Sequence, residues 1–118
     1  MWYRMNKIGR SAENEIRAEI QVPPESPWFD GHFPGEPVLP GLAQISMVFD
    51  VIQKASEGQW RASSVSRVRF KRMIRPADRL EVLAIPLAKA ANGFSFRIQS
   101  KGDLVCSGVM RLKRKSDN

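Results

Sequence analysis

The chain is poor in three things that would otherwise define a class. It has one cysteine, one histidine and no long apolar run. A lone Cys106 cannot close an internal disulfide, so a reducing cytoplasm is the simplest setting. No stretch approaches the roughly 18 apolar residues that a membrane-crossing helix needs. The segment Met1 to Arg10 mixes aromatics with Arg and Lys and carries no continuous apolar core, so it does not read as a secretory signal. Internal repeats, low-complexity blocks and interdomain linkers are lacking too. A length of 118 residues allows one modest core. The expected organisation is a single domain over residues 1–112 with a basic, polar tail at 113–118.

Charge is not lacking. There are 19 basic and 12 acidic residues, a formal surplus of +7, which favours an acidic partner. Arg67, Arg69 and Lys71 alternate along a predicted strand, with Arg72, Arg75 and Arg79 close behind. Only Phe70 interleaves them and no nucleic-acid-binding motif is present, so nucleic acid is not the expected partner. The run Lys113-Arg114-Lys115 reads as a solvated tail.

Hydrophobic spacing divides the chain clearly. From Glu15 to Val22 apolar residues alternate with polar ones, the pattern of a half-buried strand. Pro23, Pro24 and Pro27 then forbid regular structure, which predicts an irregular loop to Pro40. From Gly41 to about Glu57 the period becomes helical: Leu42, Ile45, Val48, Phe49, Ile52 and Ala55, widened by Met47 and Val51, leave little of the helix polar. Ser46, Asp50 and Gln53 form one narrow stripe at i, i+4 and i+7, and Gly58 supplies a stop. Strands are predicted at Val65 to Ile74, Leu80 to Leu87, Phe94 to Gln99 and Leu104 to Leu112, with hairpin turns at Asn92-Gly93 and Gly102-Asp103. One helix that is apolar almost all round, followed by a run of antiparallel strands, is an α+β layout in which the sheet must curl about the helix. That is the hot-dog arrangement.

The segment Gly31-His32-Phe33-Pro34-Gly35-Glu36-Pro37-Val38-Leu39-Pro40-Gly41 is the most specific in the chain. Its prolines and glycines fix an unusual backbone path, and the one histidine lies within it. Gly41 opens the helix, where amides have no internal partner and the helix dipole favours negative charge. A developing oxyanion suits that place. With Phe29-Asp30 before it, this segment resembles the active-site stretch of the 3-hydroxyacyl-acyl-carrier-protein dehydratases. Weaker likeness continues through Arg69-Phe70-Lys71-Arg72, Pro76-Ala77-Asp78-Arg79-Leu80 and Lys101-Gly102-Asp103-Leu104-Val105. The absence of the family's N-terminal helix makes the chain similar to the shorter dehydratases of aryl-polyene and polyketide-like pathways.

The resemblance implies a hot-dog fold and reversible conversion of a 3-hydroxyacyl thioester to a trans-2-enoyl thioester. His32 would remove the C2 proton, since imidazole titrates near neutrality, and the Gly41 amide would hold the thioester oxygen. Phe33, Gly35, Pro40, Leu42 and Gln44 would line the substrate. The family carries a helix carboxylate five residues after its first glycine; that position is Ser46, which cannot act as a carboxylic acid. Asp50 lies one turn on, about 6 Å along the axis. It could supply the acid, with Ser46 or a water as relay, or it could be a solvated residue at the end of the stripe or a carboxylate paired with an arginine. A substrate carried by an acyl carrier protein, rather than coenzyme A, would give Arg67, Arg69, Lys71, Arg72 and Arg75 an acidic partner to dock; each could equally be an ordinary solvated charge. The resemblance further implies a homodimer whose sites join His32 of one copy to the helix of the other. No metal-ligand cluster, nucleotide loop or redox motif appears, so no cofactor is expected. A hot-dog thioesterase and a non-catalytic acyl-thioester-binding subunit remain the competing readings.

Overall fold

The computed structural model describes residues 3–29, 39–56, 58–89 and 92–115. Their elements are β1 (Arg4–Arg10), β2 (Ile16–Gln21), a 3-10 turn at Pro27–Phe29, α1 (Gly41–Ala55), β3 (Trp60–Phe70), β4 (Arg79–Pro86), β5 (Gly93–Ser100) and β6 (Asp103–Arg114). The strands form one six-stranded antiparallel sheet in the order β1-β2-β4-β5-β6-β3.

Helix α1 touches β1 and β3, which are the two outermost strands, as well as β2 and β4. Laid flat, the sheet would measure about 24 Å between its outer strands at the usual spacing near 4.8 Å, whereas a helix with its side chains is about 10–12 Å across. One helix can reach both edges only because the sheet curls round it. This is the α+β hot-dog architecture, and the apolar breadth of α1 is its cause.

The inner face of the sheet follows from alternation. Ile16, Ala18 and Ile20 of β2, Leu80, Val82 and Ala84 of β4, and Phe94, Phe96 and Ile98 of β5 all point inward and are buried. They enclose Ala43, Met47, Val48, Val51 and Ile52 of α1. In β6 the pairing skips a residue, with Ile98 opposite Cys106 and Gln99 opposite Leu104, so the bulged Val105 is buried beside Cys106. Across from Phe96 stands Gly108, and a Cβ there would lie 2.7 Å from the phenyl ring. Among the described residues no helix is long and apolar enough to cross a membrane.

Several sequence expectations change in detail. The first ten residues had no assigned element, yet Arg4–Arg10 forms an edge strand, mostly exposed and so under no demand for apolar alternation. The strand expected from Val65 to Ile74 begins at Trp60 and ends at Phe70. It is exposed over nearly its whole length, because it too is an edge strand, and its register shifts between Ser66 and Arg69 around Arg67, whose φ is 54°. The regular alternation of Arg67 with Arg69 and Lys71 is therefore broken. Strand β6 runs on through Lys113 and Arg114, two residues read as tail, because Trp60 pairs with Arg114 and its ring faces that guanidinium at 5.9 Å. The β5–β6 turn sits on Lys101 and Gly102, one residue earlier than Gly102-Asp103, both with positive φ as a two-residue hairpin requires.

Candidate active site

The head of α1 is held by its neighbours. The Leu39 amide donates to the Ile74 carbonyl at 2.8 Å, which ties the approach to the helix against the strand-to-strand segment after β3. Pro40 is the N-cap, extended at φ −62° and ψ 153°, and it offers no side chain to cap the first turn. The first bond of the helix ladder runs from the Gln44 amide to the Pro40 carbonyl at 3.2 Å. Ahead of it, the amides of Gly41, Leu42 and Ala43 have no acceptor within the helix. They present a positive end of the helix dipole to whatever approaches.

Gly41 lies close under the Phe70 ring. A Cβ built on it would stand 2.6 Å from the tip of the Phe70 ring, so the end of β3 closes over the start of the helix. Leu42 is 72% exposed, Met73 63% and Phe70 52%. The Leu39–Ile74 bond and the Phe70–Gly41 contact bring the end of β3 and the segment after it up to the helix start, so these exposed apolar residues belong to segments that meet there.

Gln44 lies within the same turn and is buried. Its Nε2 donates to the Leu39 carbonyl at 3.2 Å, folding the side chain back toward the helix start. Its Oε1 is buried and finds no hydrogen-bond partner among the described residues. Ser46 and Asp50 sit further along the helix, both half-buried, on the stripe their spacing predicted. The next member of that stripe, Gln53, accepts the Trp60 amide at 3.0 Å.

Asp50 is not paired with an arginine, as one reading had it. The hydroxyl of Tyr3 donates to its Oδ2 at 2.6 Å. Burial, and after it the adjacent Asp50 carboxylate, push the Tyr3 phenol well above its ordinary range, so it stays protonated and remains the donor. Tyr3 was not singled out from sequence; the contact spans 47 positions and leaves no periodic trace.

Pro40, Gly41, Leu42 and Gln44 are thus brought together, while Ser46 and Asp50 follow on the same helix. His32, Phe33 and Gly35 lie outside the described residues. Among the basic candidates, Arg67, Arg69, Lys71 and Arg75 are exposed. Arg72 is already engaged by the Asp103 carboxylate. A cavity of about 490 Å³ lies elsewhere, lined by Glu19, Gln21, Arg79, Glu81, Gln99 and Lys101 among others. Its mixed charges include outward residues of β2 and β4, Glu81 is already paired with Arg17, and none of the described lining residues belongs to α1. Cys106 is buried, and that burial lifts its thiol to about 11, which fits a core residue rather than a nucleophile.

A family model for ApeI-like proteins, described as ApeI dehydratase, matches residues 9–109. The chain belongs to the ApeI-like dehydratase family. This ApeI-like chain is also similar to the 3-hydroxyacyl-acyl-carrier-protein dehydratase FabZ of Shewanella woodyi, at 32% identity over 111 residues, 85% of this chain and 73% of that one. Among solved structures it is similar to the dehydratase heterocomplex ApeI:P from Xenorhabdus doucetiae, with a TM-score of 0.84 and 28% identity, covering 97% of this chain and 100% of that one. A hypothetical thioesterase with coenzyme A from Streptococcus pneumoniae shares the fold alone: its TM-score is 0.67 at 10% identity, over 96% of this chain and 88% of that one.

Proposed function

We propose that this ApeI-like chain dehydrates 3-hydroxyacyl thioesters, releasing water and a trans-2-enoyl thioester, on substrates borne by an acyl carrier protein. The observation that carries the reading is the head of α1, with Gly41 at its first position and no acceptor for the first-turn amides among the described residues, in a member of a dehydratase family.

The chemistry follows from what each group can do. His32 takes the C2 proton as general base. The electron pair left behind is delocalised onto the thioester oxygen, which the Gly41 amide and the helix dipole stabilise. Collapse of that enolate expels the C3 hydroxyl, which leaves as water once it is protonated. Asp50 serves as the acid for that step by passing on the proton that His32 has taken, with Ser46 or a water between them as relay. Phe33, Gly35, Pro40 and Leu42 bound the acyl chain.

The exposed apolar side chains of Leu42, Phe70 and Met73, together with the exposed edge β3, support assembly with a second subunit. A homodimer is the simplest form, with each site completed by the helix of the other copy. Residues Arg67, Arg69, Lys71 and Arg75 then face an acidic carrier protein at the mouth. The setting is cytoplasmic.

The experiment is hydration of an enoyl thioester by the purified protein, followed by loss of the conjugated absorbance. His32→Ala is expected to lower the rate by at least about a hundredfold, the usual worth of a general base. Equal rates in the mutant would overturn the mechanism. Release of free thiol without an enoyl or hydroxyacyl product would identify a thioesterase instead.

A further inference from the structure

The buried carbonyl oxygen of Gln44 points to a role that the reaction scheme above does not use. Gln44 is 3% exposed, and Oε1 has no hydrogen-bond partner among the described residues. Exchanging the oxygen and nitrogen of the amide does not relieve this. It would set Oε1 against the Leu39 carbonyl that Nε2 now satisfies at 3.2 Å, placing two acceptors face to face. The orphan is therefore an acceptor, and it calls for a donor. Leaving such an atom unpaired disfavours the empty state by a factor of about 5 to 150.

Its location decides which donor. The bond to Leu39 anchors the side-chain amide at the helix head, and Gln44 is three residues from Gly41, about 4.5 Å along the axis. An acyl thioester whose carbonyl rests on the Gly41 amide carries its C3 hydroxyl two carbons away, within the reach of the first turn. We propose that Gln44 Oε1 accepts a hydrogen bond from the 3-hydroxyl of the bound acyl group, so that Gln44 selects hydroxylated chains over plain ones. This rests on the dehydratase reading for the placement of the carbonyl. An amide oxygen has no proton to give, so Gln44 orients the hydroxyl and leaves its protonation to the acid. A site built to pair with a hydroxyl penalises the analogue that lacks it, because the protein acceptor is then stranded.

The test uses two non-reacting ligands, the pantetheine amides of 3-hydroxyhexanoic and hexanoic acid. Nitrogen in place of sulfur makes the C2 proton too weakly acidic to be removed, so binding is measured without turnover. Calorimetry on the intact protein should show the hydroxylated ligand bound about tenfold more tightly, and Gln44→Met should bring the two affinities together. General loosening of the helix head would weaken both ligands alike and leave the ratio standing. Equal affinities in the unmodified protein overturn the proposal, an internal water then being the partner of Oε1, and this measurement needs no variant. A ratio that survives in Gln44→Met also overturns it. A clear preference in a protein that turns over no thioester would uphold Gln44 and sink the dehydratase reading, so the two failures are distinct.

Discussion

Tyr3→Phe removes a single oxygen from the chain, and the structure says how much that oxygen is worth. Its hydroxyl donates to Asp50 Oδ2 at 2.6 Å, and hydrogen bonds to charged acceptors contribute about 1.5–3 kcal/mol. Asp50 is only half-buried, so water can replace the phenol once it is gone, which selects the low end, about 1.5 kcal/mol. A chain of 118 residues unfolds with an entropy near 0.25 kcal/mol/K by the usual per-residue value, so the melting temperature should fall by about 6 °C. Each single change disturbs more than this bond, so the decisive assay is the cycle of Tyr3→Phe, Asp50→Ala and the double variant, followed by urea unfolding. A coupling energy of about 1.5 kcal/mol is expected. A coupling below about 0.5 kcal/mol, the noise of additivity, would refute the claim that this pair ties the N-terminal strand to the central helix.

Three further outcomes are expected. Gly108→Ala should destabilise the fold by about 1–3 kcal/mol through overpacking, since its new methyl would meet the fully buried Phe96 ring at 2.7 Å; an unchanged urea midpoint would contradict this. Burial raises the Cys106 thiol from 9.0 to about 11, so the unfolded chain sheds this proton first: the stability advantage of the wild type over Cys106→Ala should be intact below pH 9 and shrink as the pH rises towards 11. Parallel curves across that window would show that the thiol is not so shielded. Reversing Arg69 and Lys71 together to Glu should cut kcat/KM for a carrier-linked substrate about tenfold and spare a small-thiol thioester, whereas equal losses would argue against docking on this face.

The elements most legible in the sequence are those that bury one face. The helix beginning at Gly41 and the strands from Ile16, Leu80 and Phe94 announce themselves by periodicity, since each must present apolar residues to one core. The two edge strands do not. Arg4–Arg10 and the first half of Trp60–Phe70 bury almost nothing in this chain, so neither obeys an alternation that could be read. At the site, Gly41 was legible because its place between Pro40 and a helical pattern implies open amides. The Phe70 ring across Gly41, the phenol on Asp50 and the stranded oxygen of Gln44 were not, because each depends on where distant or side-chain atoms come to rest.

The edges have a consequence for how the molecule aggregates, or declines to. A long regular border strand is a template on which any extended peptide can grow, and fibres begin there. Here the register of β1 slips between Asn6 and Gly9, with Lys7 at φ 51°, and that of β3 slips twice, at Ala62/Ser64 and at Ser66/Arg69. Kinks of this kind spoil the border for generic strands while leaving it usable by a surface shaped to the same interruptions. Any association through these borders is thereby confined to surfaces that match their register shifts.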